Sequence, residues 1–307
     1  MSKRAFIFPG QGSQYAGMGK DLADNFALAR EVFQEADEAL GANLSKLCYE
    51  GPEDQLKLTA NTQPAILTVS VAVFRVMKAE IGWDADYLAG HSLGEYSALV
   101  AAGALRFDDA VRTVRARGTF MQEAVPVGEG AMAAVLGVEP EVLAAICEEA
   151  AQGEVVSPAN FNSPGQIVIA GHTGAVGRAI EIAKAKGFRK AMLLPVSAPF
   201  HSSLMTPAGD RLAEVLASIS VDDFYAPVVT NVEAKPNADR GRVKELLVRQ
   251  VSAPVLWDAS VREMVSLGVS EFVEIGPGKV LSGLVKRIEK EAGTRNIEDT
   301  AGIKAIG

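Results

Sequence analysis

Between a short apolar run, Tyr87 to Gly90, and a helical pattern, Leu93 to Ala102, the chain reads Gly90-His91-Ser92-Leu93-Gly94. A Gly-x-Ser-x-Gly run at a strand-to-helix junction admits few folds. Glycines beside the serine permit a turn that side chains would obstruct, so the hydroxyl projects and the following helix aims its N-terminal amides at the same point. The pattern predicts an α/β sheet and makes Ser92 a candidate nucleophile. The alternative is a chance match in an ordinary glycine-containing turn.

The rest of the chain supports that alternation. Arg4 to Phe8 reads as a buried parallel strand ended by Pro9-Gly10. Helical patterns follow around Asp21 to Leu40 and again from Pro64, taken as a first helical residue, where a missing N–H costs nothing. From Gly128 to Ser197 the rhythm changes: Ala131 to Val138, Val155 to Ala159, Gln166 to Ala170 and Ala191 to Val196 read as strands. Pro140 to Ala151 and Ala175 to Lys186 read as helices between them. The order is βαββαβ, the ferredoxin-like arrangement. The 307 residues are thus expected to form a large domain, 1–127 and 198–307, with a small domain, 128–197, inserted in it. Beyond Pro227, Val228-Val229-Thr230 and Glu271 to Ile275 read as short strands among helices, and the polar tail from about Glu289 is expected to be loosely held.

Composition removes several function classes. With 30 Lys and Arg against 38 Asp and Glu, the net charge of −8 supplies no field for a general polyanion binder, so nucleic acid is not an expected partner. Ala5 to Phe8 is too short for the apolar region of a signal peptide. Ala65 to Met77, interrupted by Ser70 and Arg75, falls short of the roughly 20 residues that span a bilayer. Cys48 and Cys147 have no CxxC spacing, which fits a reducing cytoplasm.

Two nucleotide motifs fail. In Gly10-Gln11-Gly12-Ser13-Gln14-Tyr15 the third glycine of a dinucleotide fingerprint is replaced by Tyr15. Gly12 and Gly17 have phosphate-loop separation, but Met18 stands where the lysine is needed.

A serine nucleophile requires a base, and there are only three histidines. His91, adjacent to Ser92 in a tight turn, should point elsewhere, and His172, in Gly171-His172-Thr173-Gly174, suits a polar or capping role. Elimination leaves His201, in a loop at the return from the small domain to the large one, where ligand clefts are favoured. No single Asp or Glu stands out as a third member, and a backbone carbonyl could hold the imidazole equally well. In the helical pattern Asp108 to Ala124, Arg117 falls on the same face as Ala110, Val111, Val114, Gly118 and Met121. An inward arginine needs an anion, either a substrate carboxylate or an internal Asp or Glu.

Taken with Phe8-Pro9-Gly10-Gln11-Gly12-Ser13-Gln14, Thr62-Gln63-Pro64-Ala65, Gly94-Glu95-Tyr96, Arg117-Gly118, Met121-Gln122, Ala198-Pro199-Phe200-His201-Ser202 and Glu274-Ile275-Gly276-Pro277-Gly278, the chain resembles the malonyl-CoA:acyl carrier protein transacylases of bacterial fatty acid synthesis. The resemblance runs from Phe6 to about Arg287. It implies an α/β-hydrolase-like core with a ferredoxin-like subdomain, the site between them, Ser92 as the malonylated nucleophile and His201 as base and then acid. It further implies backbone amides of Gln11 and Leu93 as an oxyanion hole, the main-chain carbonyl of Gln250 orienting His201, Arg117 clamping the malonyl carboxylate, and Phe200 favouring malonyl over methylmalonyl. Malonyl-CoA, CoA and acyl carrier protein are the implied partners, with neither cofactor nor metal. Because the carrier is acidic, Lys184, Lys186, Arg189 and Lys190 form a candidate docking cluster, the alternative being a solvated helix end. A carboxylesterase or thioesterase using the same Ser-His pair, and a non-catalytic carrier-protein scaffold, are the competing classes.

Overall fold

The computed structural model describes residues 3–196 and 198–306; Ser197, the expected end of the small domain, lies outside the described residues. In chain order the strands are β1 (Lys3–Phe8), β2 (Tyr87–Gly90), β3 (Gly130–Leu136), β4 (Val156–Ser163), β5 (Gln166–His172), β6 (Ala191–Leu193), β7 (Val228–Val229), β8 (Pro236–Asn237), β9 (Val269–Ile275) and β10 (Gly293–Ile297). They form two sheets, ordered β10-β9-β1-β2-β7-β8 and β4-β5-β3-β6.

The first sheet is parallel except for the β7–β8 pair. Its centre is the apolar run Ala5 to Phe8, fully buried because helices cover both faces. β1 and β2 run in register from Ala5 opposite Tyr87 to Phe8 opposite Gly90. Their C-terminal ends therefore deliver Gln11 and Ser92 to one edge, where parallel sheets place their ligands. Gly90 and Gly94 allow the junction to close: a Cβ on Gly90 would lie 1.9 Å from the Gly94 carbonyl carbon, and one on Gly94 would lie 2.1 Å from the Phe8 oxygen.

The second sheet is antiparallel. Val135 and Ile169 pack with Leu143 and Ile146 of the helix Pro140–Ala151 and with Val176 and Ile180 of the helix Thr173–Ala185, forming a cluster separate from the main core. The free edge of β4 is tied to the large sheet's side of the molecule: Phe161 N donates to Val255 O and Val255 N to Ala159 O, both at 2.9 Å.

Four sequence expectations need correction. The helix containing Pro64 runs Thr59–Ile81, so Pro64 is its sixth residue rather than its first. The proline forfeits only the bond to the Ala60 carbonyl, and the helix survives because most of its length is buried. The region Asp21 to Leu40 is two helices, Lys20–Asn25 and Ala27–Leu40, separated by extended Phe26. β4 continues past Ala159 to Ser163, because pairing with β5 on one edge and the bonds to Val255 on the other sustain it where the apolar run has ended. The tail is tied down: β10 pairs with β9, and Ile297 and Ile303 are buried. Among the described residues no helix is long and apolar enough to cross a membrane, and no group of His, Cys, Asp and Glu could hold a metal. Cys48 and Cys147 are free, buried thiols.

Candidate active site

Ser92 follows β2 with φ +51°, and the helix Gly94–Ala101 begins two residues later. A left-handed serine costs roughly 1–2 kcal/mol unless its surroundings hold it. Here the Ser92 N–H donates to Asn231 Oδ1 at 2.6 Å, and Gln250 Nε2 donates to the Ser92 carbonyl at 3.0 Å. The Ser92 hydroxyl lies 2.7 Å from His201 Nε2.

His201 is also left-handed, φ +60°, and is 4% exposed. Its Nδ1 faces the carbonyls of Gln250 at 2.9 Å and Ala253 at 3.2 Å. Carbonyl oxygens only accept, so the network assigns the proton to Nδ1 and leaves Nε2 bare to accept from Ser92. Burial, helped by the Arg117 charge and against the Gln250 carbonyl, pushes the imidazole pKa down to about 3. At neutral pH it is an unprotonated base, and no carboxylate orients it among the described residues. The other two histidines have other partners, although His91 also lines the cavity at the site. His91 Nε2 is 2.8 Å from Asn162 Oδ1, and His172 Nδ1 accepts from Val155 N at 2.9 Å rather than capping its helix.

Arg117 sits on the inward face of the helix Phe107–Glu123 and is 1% exposed. Its Nη1 donates to Gln63 Oε1 at 2.8 Å, and its Nη2 to Gln250 Oε1 at 2.9 Å and to Ser92 Oγ at 3.0 Å. Among the described residues it forms no ion pair with Asp or Glu, which removes the internal salt bridge. Burial lowers its pKa against the pull of Tyr96 and Glu95.

These groups open onto a cavity of about 190 Å³, walled by Met121, Met132, Val168, Leu194, Val196 and Phe200, with Gln63, Asn160 and Asn162 as polar lining. The second sheet contributes to it through β3, β4 and β5, and the first through the segments that follow β1 and β2. Gln11 and Leu93 also line the cavity, and neither main-chain N–H has a protein acceptor among the described residues. Lys184, Lys186, Arg189 and Lys190 are exposed. Lys184 pairs with Glu181 and Lys186 with Glu149, whereas Arg189 and Lys190 form no ion pair among the described residues. Both lie in the loop before β6.

Three residues at the site were not singled out from the sequence. Gln63 was visible only inside a motif, and Glu95 only as the residue after Gly94. Asn231 directly follows the strand pattern Val228 to Thr230; a polar residue leaving a sheet's C-terminal edge is the signal that could have found it.

A left-handed serine after a parallel strand, with a neutral imidazole on its hydroxyl, is the constellation of a serine acyl-transfer enzyme. The acyl transferase domain model matches residues 5–303, and the chain belongs to that family. Its curated relatives include malonyl CoA-acyl carrier protein transacylases. The chain is 50% identical to that of Bacillus subtilis over 305 residues (99% of this chain, 96% of the relative). It is 53% identical to that of Escherichia coli K12 over 288 residues (94% and 93%). Among solved structures, an acyl carrier protein S-malonyltransferase from Vibrio cholerae superposes with a TM-score of 0.97 at 48% identity, covering 100% of both chains. A malonyl-transacylase in complex with a type II PKS acyl-carrier protein gives 0.97 at 47% identity, covering 99% of both.

Proposed function

We propose that the protein moves a malonyl group from malonyl-CoA to the phosphopantetheine thiol of an acyl carrier protein through a malonyl ester on Ser92. The observation that carries this reading is the Ser92 hydroxyl lying 2.7 Å from His201 Nε2 and 3.0 Å from Arg117 Nη2. Malonyl has a carboxylate one methylene from its reacting carbonyl, so a clamp that close to the nucleophile suits it. The guanidinium's planar fork matches a carboxylate bidentately.

Ser92 Oγ attacks the thioester carbonyl as His201 Nε2 takes its proton; on collapse the imidazolium returns that proton to the CoA sulfur. The carrier thiol then attacks the ester carbonyl, His201 takes the thiol proton, and Ser92 leaves with it. Both tetrahedral intermediates put negative charge on one oxygen, which the Gln11 and Leu93 amides are placed in this reading to receive. The Gln250 carbonyl holds the imidazole through its Nδ1–H. A malonyl carboxylate on Arg117 would also offset the charge that helps depress His201, making it a stronger base once substrate is bound. Phe200, in the apolar wall, biases the pocket toward malonyl, a methyl group altering discrimination by only about 1–3 kcal/mol.

We further read the parallel-sheet unit, 1–127 and 198–307, as α/β-hydrolase-like and the insert, 128–197, as ferredoxin-like. The sheet order β4-β5-β3-β6 and the separate apolar cluster support the latter. Lys184, Lys186, Arg189 and Lys190 are proposed to meet the acidic carrier, and the cytoplasm is the proposed location.

With radiolabelled malonyl-CoA and purified holo carrier protein, label is expected to reach the carrier protein, and none should move with Ser92→Ala. Label released as free malonate, with none on the carrier, would make the protein a hydrolase instead.

A further inference from the structure

The sidedness of the hydrogen bonds beneath the Ser92 turn singles out a residue that the reaction scheme leaves idle. Glu95, 2% exposed, lies in the first turn of the helix that Ser92 leads into. A carboxylate buried this way is costly unless it is well satisfied. A single oxygen, Oε2, accepts from the Asn231 main-chain N–H at 2.9 Å and from Gln250 Nε2 at 2.8 Å. Those two residues are the ones that hold the reacting groups. Asn231 Oδ1 takes the Ser92 N–H, and Asn231 Nδ2 donates to Gly90 O at 2.7 Å, on the other side of the same turn. Gln250 donates to the Ser92 carbonyl, accepts from Arg117 Nη2, and offers its own carbonyl to His201 Nδ1.

We propose that Glu95 is a positioning residue: its Oε2 fastens Asn231 and Gln250 together as a collar that holds Ser92 left-handed and keeps His201 and Arg117 in register with it. The assignment rests on the Ser92–His201 reading and goes beyond it. The N-terminus of the helix favours a carboxylate in its first turn, but it does not select the two partners; the sharing of one acceptor oxygen by two chain segments is what ties Glu95 to the site. Asn231 and Gln250 reach the turn from the segment after β7 and from the helix Val243–Ser252, and among the described residues Glu95 Oε2 is the one acceptor to which both donate.

The test uses the whole protein and a small neutral sulfonyl fluoride, a probe that reports on the Ser92–His201 pair without needing the Arg117 clamp. Inactivation is followed as a time course with mass-spectrometric assignment of the label. A variant that is merely less folded shows a smaller amplitude, while one whose nucleophile is misplaced shows a smaller rate constant. Glu95→Ala is expected to lower the rate constant by about 10- to 100-fold, the scale of losing two buried hydrogen bonds beneath a reacting group. Glu95→Gln keeps an acceptor oxygen and should recover to within about threefold of wild type. Malonyl-transfer kcat should fall in step with the labelling rate. A wild-type rate constant in Glu95→Ala, with only the amplitude reduced, would overturn the assignment, as would a Gln variant as slow as the Ala variant. No label on Ser92 in the wild type would overturn the nucleophile reading itself, and the assignment with it.

Discussion

Arg117 is the residue whose proposed role as a carboxylate clamp makes the sharpest distinction between substrates. It is fully buried, paired to amide oxygens and a hydroxyl, and matched to no carboxylate among the described residues. Arg117→Ala should therefore lower malonyl transfer by about 100-fold, in keeping with loss of a charge-assisted bidentate contact, and leave acetyl transfer far less affected. Parallel assays with malonyl-CoA and acetyl-CoA check this; equal losses would make the arginine structural. His201 carries a second prediction. Its folded pKa is about 3 against an ordinary 6.5, so below pH 6.5 the unfolded chain takes up a proton that the folded protein refuses until near pH 3. Stability from this group is complete above pH 6.5 and is lost as pH falls through that window. Burial moves Glu95 the other way, up to about 7, so its contribution is lost as pH rises from about 4.5. Comparison with His201→Asn cancels the Glu95 contribution: in urea titrations from pH 7 to pH 4 the wild type should lose stability more steeply than the variant, and parallel curves would contradict the buried neutral imidazole. At this scale the sequence was informative where residue types are scarce. Three histidines and one helical period isolated His201 and Arg117. Asn231 and Glu95 escaped because their partners lie 136 to 155 residues away in the chain, a separation that no local pattern records.

The strand-turn-helix from Tyr87 to Ala101 was the most legible element, because its glycines answer to a steric demand between neighbouring elements. Gly94 meets the Phe8 carbonyl at the point where β1, β2 and the following helix converge. Gly94→Ala should destabilise the protein by about 3 kcal/mol or more in urea denaturation and abolish acyl transfer, since the added carbon meets rigid backbone. A variant of unchanged stability would show that the junction is slacker than these distances imply. The small unit's strands and helices were also readable from apolar alternation. Errors arose where tertiary packing outweighed local preference: Pro64 inside a helix, and a polar tail held by Ile297, Ile303 and the pairing of β10. Asn160 and Asn162 were read as lying beyond a strand, yet β4 carries them to the cavity.

For the molecule as a whole, a net charge of −8 must be reconciled with the acidic partner proposed above, and local distribution is what matters. Arg189 and Lys190, exposed and without ion pairs among the described residues, are better placed to act on a partner than Lys184 and Lys186, whose charges are engaged by Glu181 and Glu149. Reversing Arg189 and Lys190 to Glu should raise the carrier-protein KM several-fold and leave the malonyl-CoA KM unchanged. An unaltered carrier-protein KM would move docking to another face. The division into two sheets with a cavity lined from both was legible as an interruption of one rhythm by another; how the sheets meet, through Val255 bonded to β4, was not. The account as a whole stands on a covalent intermediate at one hydroxyl. Mixing the protein with malonyl-CoA and mapping the product by mass spectrometry should place a malonyl adduct on Ser92, which the carrier-protein thiol then removes. A wild-type protein that turns over without that adduct, or an adduct that persists in Ser92→Ala, would contradict it.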